Sequence, residues 1–278
     1  MLELTELGSV LRGMGILYWL LAIGVVAFAV WKGKSRQRKA LWAAIAVAVF
    51  GFLPVKQMIE QAQRNAYARE AWAYFKKLCD EKSGEKIYKT HTGVRNVLVV
   101  KPLPPATDKD HFDQFWYGDP YSASATSERA EAAARRLTLY SRRPNGRQKG
   151  LDFVEIKDDF GNGYTKIIRP ISNDKLAAKV RIQAPVSRFG IAWEDISTPQ
   201  DRKYWVAGSR LRVMDLTDNS IVAERIGYFI ESGFGSIGEG RRPWLTSRGP
   251  STTCPALLGG DYSDNWFISN VFSLELEK

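Results

Sequence analysis

The chemistry open to this chain is limited by its histidines, since its 278 residues include only His91 and His111. His111 lies among three aspartates, Asp108, Asp110 and Asp113, whose carboxylate oxygens suit hard cations. The segment lacks the glycine and the distal glutamate of a calcium-binding loop. A solvated acidic turn is therefore favoured over a metal site.

His91 stands in KTHTGVR, just before a predicted strand. A hydrolytic triad needs a nucleophilic serine on a sharp turn and a carboxylate that orients the imidazole, and the sequence has no G-x-S-x-G pattern to supply the turn. Gly208-Ser209 belongs to a strand pattern instead. We therefore predict no catalytic residue, no metal ligand and no cofactor. An exported hydrolase that uses His91 or His111 is the alternative.

Residues 233–238, GFGSIG, match the glycine spacing of a dinucleotide-binding loop. That loop works because its last glycine opens a helix whose N-terminus faces the pyrophosphate. Here Gly240, Pro243 and Pro250 follow, and these residues oppose a helix. A mobile glycine-rich loop that leaves a strand is the better interpretation.

Basic side chains are concentrated in residues 135–150, which makes an anionic lipid surface a candidate partner for this segment. The residues are Arg135, Arg136, Arg142, Arg143, Arg147 and Lys149. A merely solvated loop explains the segment equally well. Arg241, Arg242 and Trp244 form a second, smaller candidate for recognition of acidic groups.

The chain has two cysteines, Cys79 and Cys254. In an oxidising compartment they would join the start of a folded domain to its end. A loop of this length contributes about 5 kcal/mol in the chain-entropy model. We predict this disulfide, with two unrelated buried thiols as the alternative.

Two uncharged stretches near the N-terminus predict membrane-spanning helices. Residues 13–31 number nineteen, which at about 1.5 Å per residue nearly cross a ~30 Å hydrocarbon layer. Residues 40–55 number sixteen, and they span only if Lys39 and Lys56 extend their ammonium groups to the interfaces. A helical hairpin in a soluble core is the alternative, but neither stretch has the polar stripe of a core helix.

The segment between these stretches fixes the predicted orientation. Its five cations are Lys32, Lys34, Arg36, Arg38 and Lys39. Short loops rich in Lys and Arg stay on the cytoplasmic side, so residues 32–39 are expected to be the cytoplasmic loop of a transmembrane hairpin, residues 1–55. Both termini then lie on the periplasmic side of a bacterial inner membrane. A cleaved signal peptide competes, since Ala27-Phe28-Ala29 suits a peptidase, but the cations follow the apolar stretch.

Beyond the hairpin we predict an amphipathic helix over residues 56–83 and an extracytoplasmic α+β domain over residues 84–278. Pro54 is expected to kink or end the second span. The amphipathic helix has one apolar face that needs a packing partner, and the domain it introduces is the ordinary one. That face consists of Tyr67, Ala71, Tyr74, Phe75 and Leu78.

The domain is predicted to be mainly antiparallel sheet, because two-residue alternation is interrupted by turn signals. Residues 160–163 and Thr217-Asp218-Asn219 predict hairpin turns. The predicted strands lie in GVRNVLVVK, LDFVEIKDD, YTKIIRP, AKVRIQAP, KYWVAGSRLRVMDL, SIVAERIGYFI and NWFISNVFSLEL. Residues 126–137, TSERAEAAARRL, predict one further helix.

Four segments resemble a bacterial family of membrane-anchored proteins that has no assigned activity. They are KLCDEKSGEKIYKT, DQFWYGDPY, WEDISTPQDRKYWVAGSRLRVMDL and AERIGYF. The resemblance implies a bacterial origin, and it carries over no catalytic or binding residue.

The net charge of +10 raises the question of a partner. Nucleic acid is scarce outside the cytoplasmic membrane, so the predicted topology opposes it. We hypothesise a membrane-anchored extracytoplasmic binding or assembly module without catalytic activity, which contacts the lipid bilayer and an envelope protein. An envelope immunity protein is a further alternative to the exported hydrolase.

Overall fold

The computed structural model describes residues 16–28, 31–32, 35–101, 112–115, 130–139, 141–143, 146–157, 163–170, 177–236, 243–245, 251–256, 263–274 and 276–277. The chain divides into two compact units, Met1–Arg69 and Glu70–Lys278.

Two apolar helices make up most of the described part of the first unit. Helix α1 spans Ile16–Phe28. Helix α2 spans Arg36–Lys82, so its end belongs to the second unit. Within the described residues, α2 is the one helix long and apolar enough to cross a membrane, and only 6% of its most apolar window is buried.

The structure corrects two predictions in this region. Pro54 lies inside α2, so the helix does not end there, and the expected separate helix over residues 56–83 is a continuation of the second apolar stretch. The predicted loop over residues 32–39 is also partly helical, because Arg36, Arg38 and Lys39 lie at the start of α2. Ser35 precedes this first turn and accepts hydrogen bonds there. Lys32 is helical, and Lys34 lies outside the described residues.

A contact between α1 and α2 explains how the helix continues through a proline. Pro54 has no N–H, so the carbonyl of Phe50, four residues earlier, loses its helical donor. The Tyr18 hydroxyl of α1 donates a hydrogen bond to that carbonyl. The rings of Tyr18 and Phe50 meet edge to face, with centroids 5.8 Å apart. Ala22 and Ala46, one helical turn from these residues, are buried.

The second unit is α+β with a mostly antiparallel sheet. Its strands are β1 (Gly84–Ile87), β2 (Asn96–Lys101), β3 (Ser141–Arg143), β4 (Gly146–Gln148), β5 (Phe153–Lys157), β6 (Tyr164–Ile168), β7 (Ala178–Ile182), β8 (Phe189–Asp195), β9 (Val206–Asp215), β10 (Ser220–Ile230), β11 (Thr253–Cys254) and β12 (Leu276–Glu277). Its further helices are α3 (Ala130–Thr138), α4 (Pro199–Lys203) and α5 (Ser263–Val271), with a 3-10 turn at Pro243–Leu245.

The large sheet has nine strands in the order β1-β10-β9-β8-β2-β5-β6-β7, with β11 also paired to β10. Strand β2 is the exception to the antiparallel pattern, because it runs parallel to both β5 and β8. A small sheet has the order β12-β4-β3. The parallel pairing places the first residues of β2 and β5 side by side at the same end of their strands.

Helices cover both faces of the large sheet. Apolar residues of α3 and α5, such as Leu137 and Phe267, pack in one cluster with Leu211 and Val213 of β9. On the other face a second cluster joins the end of α2 to β9 and β10. Its buried residues are Ala71, Phe75, Leu78, Val206, Tyr228 and Ile230, with Tyr74 packed against them. The predicted apolar face of residues 71–78 therefore packs against the domain it introduces.

Six predicted strands are present, as β2, β5, β6, β7, β9 and β10. The predicted C-terminal strand is wrong, because NWFISNV lies in α5 and only Leu276–Glu277 is extended. Phe267, Ile268 and Val271 have helical spacing and are buried against the sheet. The turn at residues 216–219 joins β9 and β10 as predicted. Residues 158–162 and 126–129 lie outside the described residues.

Candidate functional site

The His91 side chain packs against an aromatic ring of the second unit. Its ring lies against Phe189, with centroids 4.7 Å apart, and its main-chain N–H donates to the Val271 carbonyl at 3.0 Å. Its Nε2 atom is buried and has no hydrogen-bond partner within the described part of the chain. No serine or carboxylate therefore orients this imidazole in the manner of a triad.

The predicted acidic turn is described only at Asp113. The Asp113 carboxylate accepts the Phe115 N–H at 2.8 Å, which is a local turn contact. His111, Asp108 and Asp110 lie outside the described residues. Among the residues that are described, no group of three histidine, cysteine, aspartate or glutamate side chains has a geometry for a metal ion.

Residues 233–236 of the GFGSIG segment follow β10, and its last two residues lie outside the described part of the chain. The Glu231 carboxylate accepts the N–H of Gly233 at 2.9 Å and that of Gly235 at 2.8 Å. Gly235 has a positive φ of 78°, and a Cβ there would lie 2.5 Å from the Trp205 ring. A carboxylate thus takes the position that a pyrophosphate would need, and dinucleotide binding has no support.

The two basic candidates have different outcomes. Trp244 is fully buried against Trp205, and its indole donates to the Asp113 carbonyl at 2.6 Å, so it is not a surface recognition residue. Arg241 and Arg242 lie outside the described residues. In the 135–150 segment, Arg135 and Arg136 lie in α3, while the side chains of Arg142, Arg143 and Arg147 are outside the described set. Lys149 lines the cleft described next.

A cleft of about 300 Å³ lies at one edge of the large sheet. Its charged lining residues are Arg95, Lys149, Asp152 and Arg169, and its apolar ones are Val94, Leu151, Phe272 and Leu274. Three cations and one carboxylate leave a surplus of two positive charges. We name this site the cationic cleft.

The parallel pairing of β2 and β5 assembles the cationic cleft. Asn96 lies opposite Phe153 in that pairing, so the preceding residues, Arg95 and Asp152, are neighbours. The Asp152 N–H donates to the Arg95 carbonyl at 2.8 Å. Strand β6 pairs antiparallel with β5 and ends beside its start, and the N–H of the next residue, Arg169, donates to the Asp152 carbonyl at 2.8 Å.

Gly150 brings Lys149 to the same place. A Cβ at this position would lie 2.5 Å from the main-chain atoms of Thr138 and Leu139 at the end of α3. Only glycine permits this approach. The Leu151 N–H then donates to the Leu137 carbonyl at 3.0 Å, which ties the segment to α3.

The Asp152 carboxylate divides its two oxygens between two arginines. Oδ1 pairs with Arg169 Nη2 at 2.7 Å, and Oδ2 pairs with Arg95 Nε at 2.6 Å. Arg169 also donates through Nη1 to the Gly150 carbonyl at 2.9 Å, and its side chain is 16% exposed. The Arg95 side chain is 73% exposed. Arg169 is therefore a fixed wall of the cleft, whereas Arg95 faces solvent.

Two groups keep unused hydrogen-bond capacity in the cleft. Within the described part of the chain, neither Nη atom of Arg95 has a partner, and the Lys149 ammonium has none. An Arg fork and a Lys point charge are the groups that bind carboxylate and phosphate oxygens. The arrangement can therefore hold an anionic group without first breaking an Arg169 contact.

Sequence reasoning found Lys149 but missed Arg95, Asp152 and Arg169. All three stand at the ends of correctly predicted strands. The signal that could have found them is the charge immediately before β2 and β5 and immediately after β6. That signal becomes visible only once β2 and β5 are known to be parallel neighbours.

The cysteine pair lies away from the cationic cleft, at the end of α2. The Cys79 and Cys254 sulfurs are 2.00 Å apart, which is disulfide bonding distance, and 175 residues separate them in sequence. Near this pair the Tyr74 hydroxyl donates to Asp201 Oδ1 at 2.6 Å. Burial, with the added effect of this hydrogen bond, raises the pKa of Tyr74 above its usual range. A disulfide is typical of an oxidising compartment.

The chain matches no protein-family model, no curated protein and no solved structure.

Proposed function

We propose that this protein is a membrane-anchored binding module that holds an anionic group of a ligand or envelope partner in the cationic cleft. The unit Glu70–Lys278 lies on the periplasmic side of a bacterial inner membrane in this proposal. Binding is favoured over catalysis because Arg95, Asp152 and Arg169 pair with one another, and neither histidine nor cysteine is among the described lining residues.

This proposal is carried by the Nη atoms of Arg95 and the Lys149 ammonium, which have no partner among the described residues. Arg169, by contrast, is paired within the fold and is not needed for the binding role. Two cationic donors that are left to solvent beside a concave surface with apolar walls are available to an anionic ligand. The surplus of positive charge in the cleft also attracts anions before contact.

Anchoring in the bilayer is supported by the contact between Tyr18 and Phe50. In hydrocarbon, water cannot satisfy the carbonyl that Pro54 leaves open, and a neighbouring helix has to do so. The Tyr18 hydroxyl of α1 fills this role. The large apolar residues of both helices are also mostly exposed, as expected for surfaces that face lipid. We therefore propose that α1 and α2 cross the membrane together as a hairpin.

The proposed orientation follows from the cations between the helices. Lys32, Lys34, Arg36, Arg38 and Lys39 remain within a short stretch even though α2 begins at Arg36. The positive-inside rule places such a stretch in the cytoplasm. A Cys79–Cys254 disulfide is compatible with this orientation, because it needs an oxidising compartment.

The binding proposal is tested by titrating the full chain, held in phosphatidylcholine nanodiscs, with phosphate, sulfate and acetate at constant ionic strength. We expect calorimetry to detect saturable binding of at least one anion. Arg95→Ala and Lys149→Ala should each weaken it about tenfold or more, because each removes a charge-assisted hydrogen bond.

The matched control is Lys179→Ala. Lys179 is also a surface cation, with its ammonium 2.6 Å from Glu131, and it does not line the cleft. This variant should bind anions like the wild type. The proposal is ruled out if none of the three anions binds saturably. It is also ruled out if the Lys179→Ala control loses as much anion affinity as Arg95→Ala and Lys149→Ala.

The orientation is tested by protease protection in spheroplasts. Protease added to intact spheroplasts should degrade the unit Glu70–Lys278, while a tag inserted after Lys34 stays protected until lysis. The opposite pattern would place the cationic cleft in the cytoplasm and contradict the proposed topology.

A further inference from the structure

We infer that the anionic group bound by the cationic cleft is a dianion of the phosphate monoester class, rather than a carboxylate. This inference rests on the proposed function, because it specifies the ligand of the same cleft. It is carried by the charge count, the donor set and the volume of the cleft.

The charge count is decided by Asp152. This carboxylate lies between Arg95 and Arg169 at ion-pair distances, so the cleft already neutralises one monoanion of its own. Among the described residues that line the cleft, no second carboxylate matches Lys149 and the other arginine charge. A carboxylate ligand would leave one positive charge unmatched, whereas a phosphate monoester, with a charge of about −1.5 to −2 near neutral pH, would match both.

The donor set agrees with this count. Arg95 offers its Nη atoms as a planar fork, because its Nε is already occupied by Asp152. Lys149 offers a point charge from another segment. A carboxylate has two oxygens, and the Arg fork alone would occupy both. A phosphate has a third oxygen for the Lys149 ammonium.

The cleft volume limits the rest of the ligand. A volume of about 300 Å³ is at the lower end of the range for small-molecule sites. The phosphate can therefore carry only a small organic group inside the cleft, against the apolar wall that includes Leu151 and Phe272. Both a free phosphate ester and the exposed headgroup of a phosphomonoester lipid have this chemistry.

The pH dependence of binding separates a dianion from a monoanion. A phosphate monoester has a second pKa of about 6, so its dianionic fraction falls about tenfold between pH 7.5 and pH 5.0. Sulfate stays a dianion over this range. The charged groups facing the ligand are Arg95, Lys149, Asp152 and Arg169. His91 lies outside the lining, but it is close in sequence to Gly93 of the cleft, so it needs a control.

The experiment measures the Kd of methyl phosphate, sulfate and acetate for the full chain in phosphatidylcholine nanodiscs at pH 7.5 and pH 5.0. We expect methyl phosphate to bind at least tenfold more tightly than acetate at pH 7.5. We also expect it to lose about tenfold in affinity at pH 5.0, while sulfate changes less than twofold. His91→Gln should leave these ratios unchanged, and Arg95→Ala should abolish the preference for methyl phosphate.

The outcomes distinguish this inference from the proposed function. If acetate binds as tightly as methyl phosphate and Arg95→Ala weakens both, the cleft is an anion site and the dianion inference is wrong. A methyl phosphate affinity that is equal at both pH values also overturns the inference. If no anion binds, the proposed function fails and the inference fails with it.

A second arm identifies the source of the phosphate. The same titration is repeated in nanodiscs that contain phosphatidic acid, a lipid with a phosphomonoester headgroup. If methyl phosphate no longer binds in discs with phosphatidic acid but binds in discs of phosphatidylcholine alone, the lipid headgroup occupies the cleft. An unchanged titration assigns it to a soluble phosphate ester.

Discussion

Two arginine–carboxylate networks in the second unit differ in how completely they are closed. Arg225 of β10 is 3% exposed and pairs with Glu85 of β1 at 3.1 Å and with Asp264 of α5 at 2.9 Å. The indole of Trp193 donates to the other oxygen of Asp264 at 2.9 Å. In the cationic cleft, Asp152 likewise joins two arginines, but Arg95 is 73% exposed and its Nη atoms have no partner among the residues that the structure describes.

The difference shows which charges hold the fold and which are available to a ligand. The Arg225 network ties an edge strand, a central strand and a covering helix together through a buried guanidinium, so its loss removes charge-assisted hydrogen bonds that hold these elements. The outer half of the Asp152 network lies in water, where an ion pair contributes little to stability. Stability and binding should therefore respond to substitution in opposite ways in the two networks.

The largest expected effect is that of Arg225→Ala. Removing this guanidinium deletes two charge-assisted hydrogen bonds of about 1.5–3 kcal/mol each, to Glu85 and Asp264, so we expect a loss of about 3–5 kcal/mol in the free energy of unfolding. Chemical denaturation of the full chain in nanodiscs measures it. Arg95→Ala is the matched variant and should lose less than about 1 kcal/mol. Similar losses in the two variants would abolish the distinction between a closed and an open network.

Loss of the disulfide should have the next largest effect. Cys79→Ser with Cys254→Ser removes the link between the end of α2 and β11. We expect the free energy of unfolding to fall by about 2–5 kcal/mol. Anion affinity should stay within twofold, because neither cysteine lines the cationic cleft. If the variant keeps the secondary structure of the wild type but loses much of its anion affinity, the cleft depends on the end of α2.

A smaller loss of stability is expected for Tyr74→Phe, which removes one part-buried hydrogen bond without removing a charge. The lost hydrogen bond to the Asp201 carboxylate should cost about 1.5 kcal/mol at pH 7. The pKa of Tyr74 is raised in the folded state, mainly by burial, so this stabilisation is fully present below the unfolded pKa of about 10 and is lost as the pH rises beyond it. Unfolding curves of both proteins between pH 8 and pH 11 should therefore converge. A constant difference across this range would contradict the assignment.

The smallest stability effect is expected for Lys149→Ala. The Lys149 ammonium has no partner within the described part of the chain, so its removal should change the free energy of unfolding by less than about 0.5 kcal/mol. Anion binding should nevertheless weaken about tenfold. Thermal unfolding measures the stability of this variant, and calorimetry measures its anion binding. An unchanged unfolding curve together with weaker binding would show that Lys149 serves a ligand and not the fold.

Much of the sheet could be predicted because alternation is a local signal. Strands β9 and β10 read clearly from their own residues and from the turn between them. Strand β8 was missed, since FGIAWED is buried almost throughout and lacks alternation. Helix α5 was mistaken for a strand because FISNVF is rich in aromatic and β-branched residues, while its helical spacing is revealed only by what it buries.

The cationic cleft could not be predicted because its parts are distant in sequence. Arg95, Asp152 and Arg169 meet through one parallel and one antiparallel pairing. Nothing within the residues around Arg95 indicates that β5 will be its neighbour. The continuation of the helix past Pro54 was hidden for a related reason, since the compensating hydroxyl belongs to α1.

That hydroxyl makes the identities of two distant positions depend on each other. Alanine in place of Pro54 would restore an N–H for the Phe50 carbonyl, and Tyr18 would then have no carbonyl to serve. Phenylalanine in place of Tyr18 should be harmful beside proline and neutral beside alanine. Tyr18 can therefore be lost without cost only after Pro54 has been replaced, so the first helix supplies the hydrogen-bond donor that the proline takes away from the second.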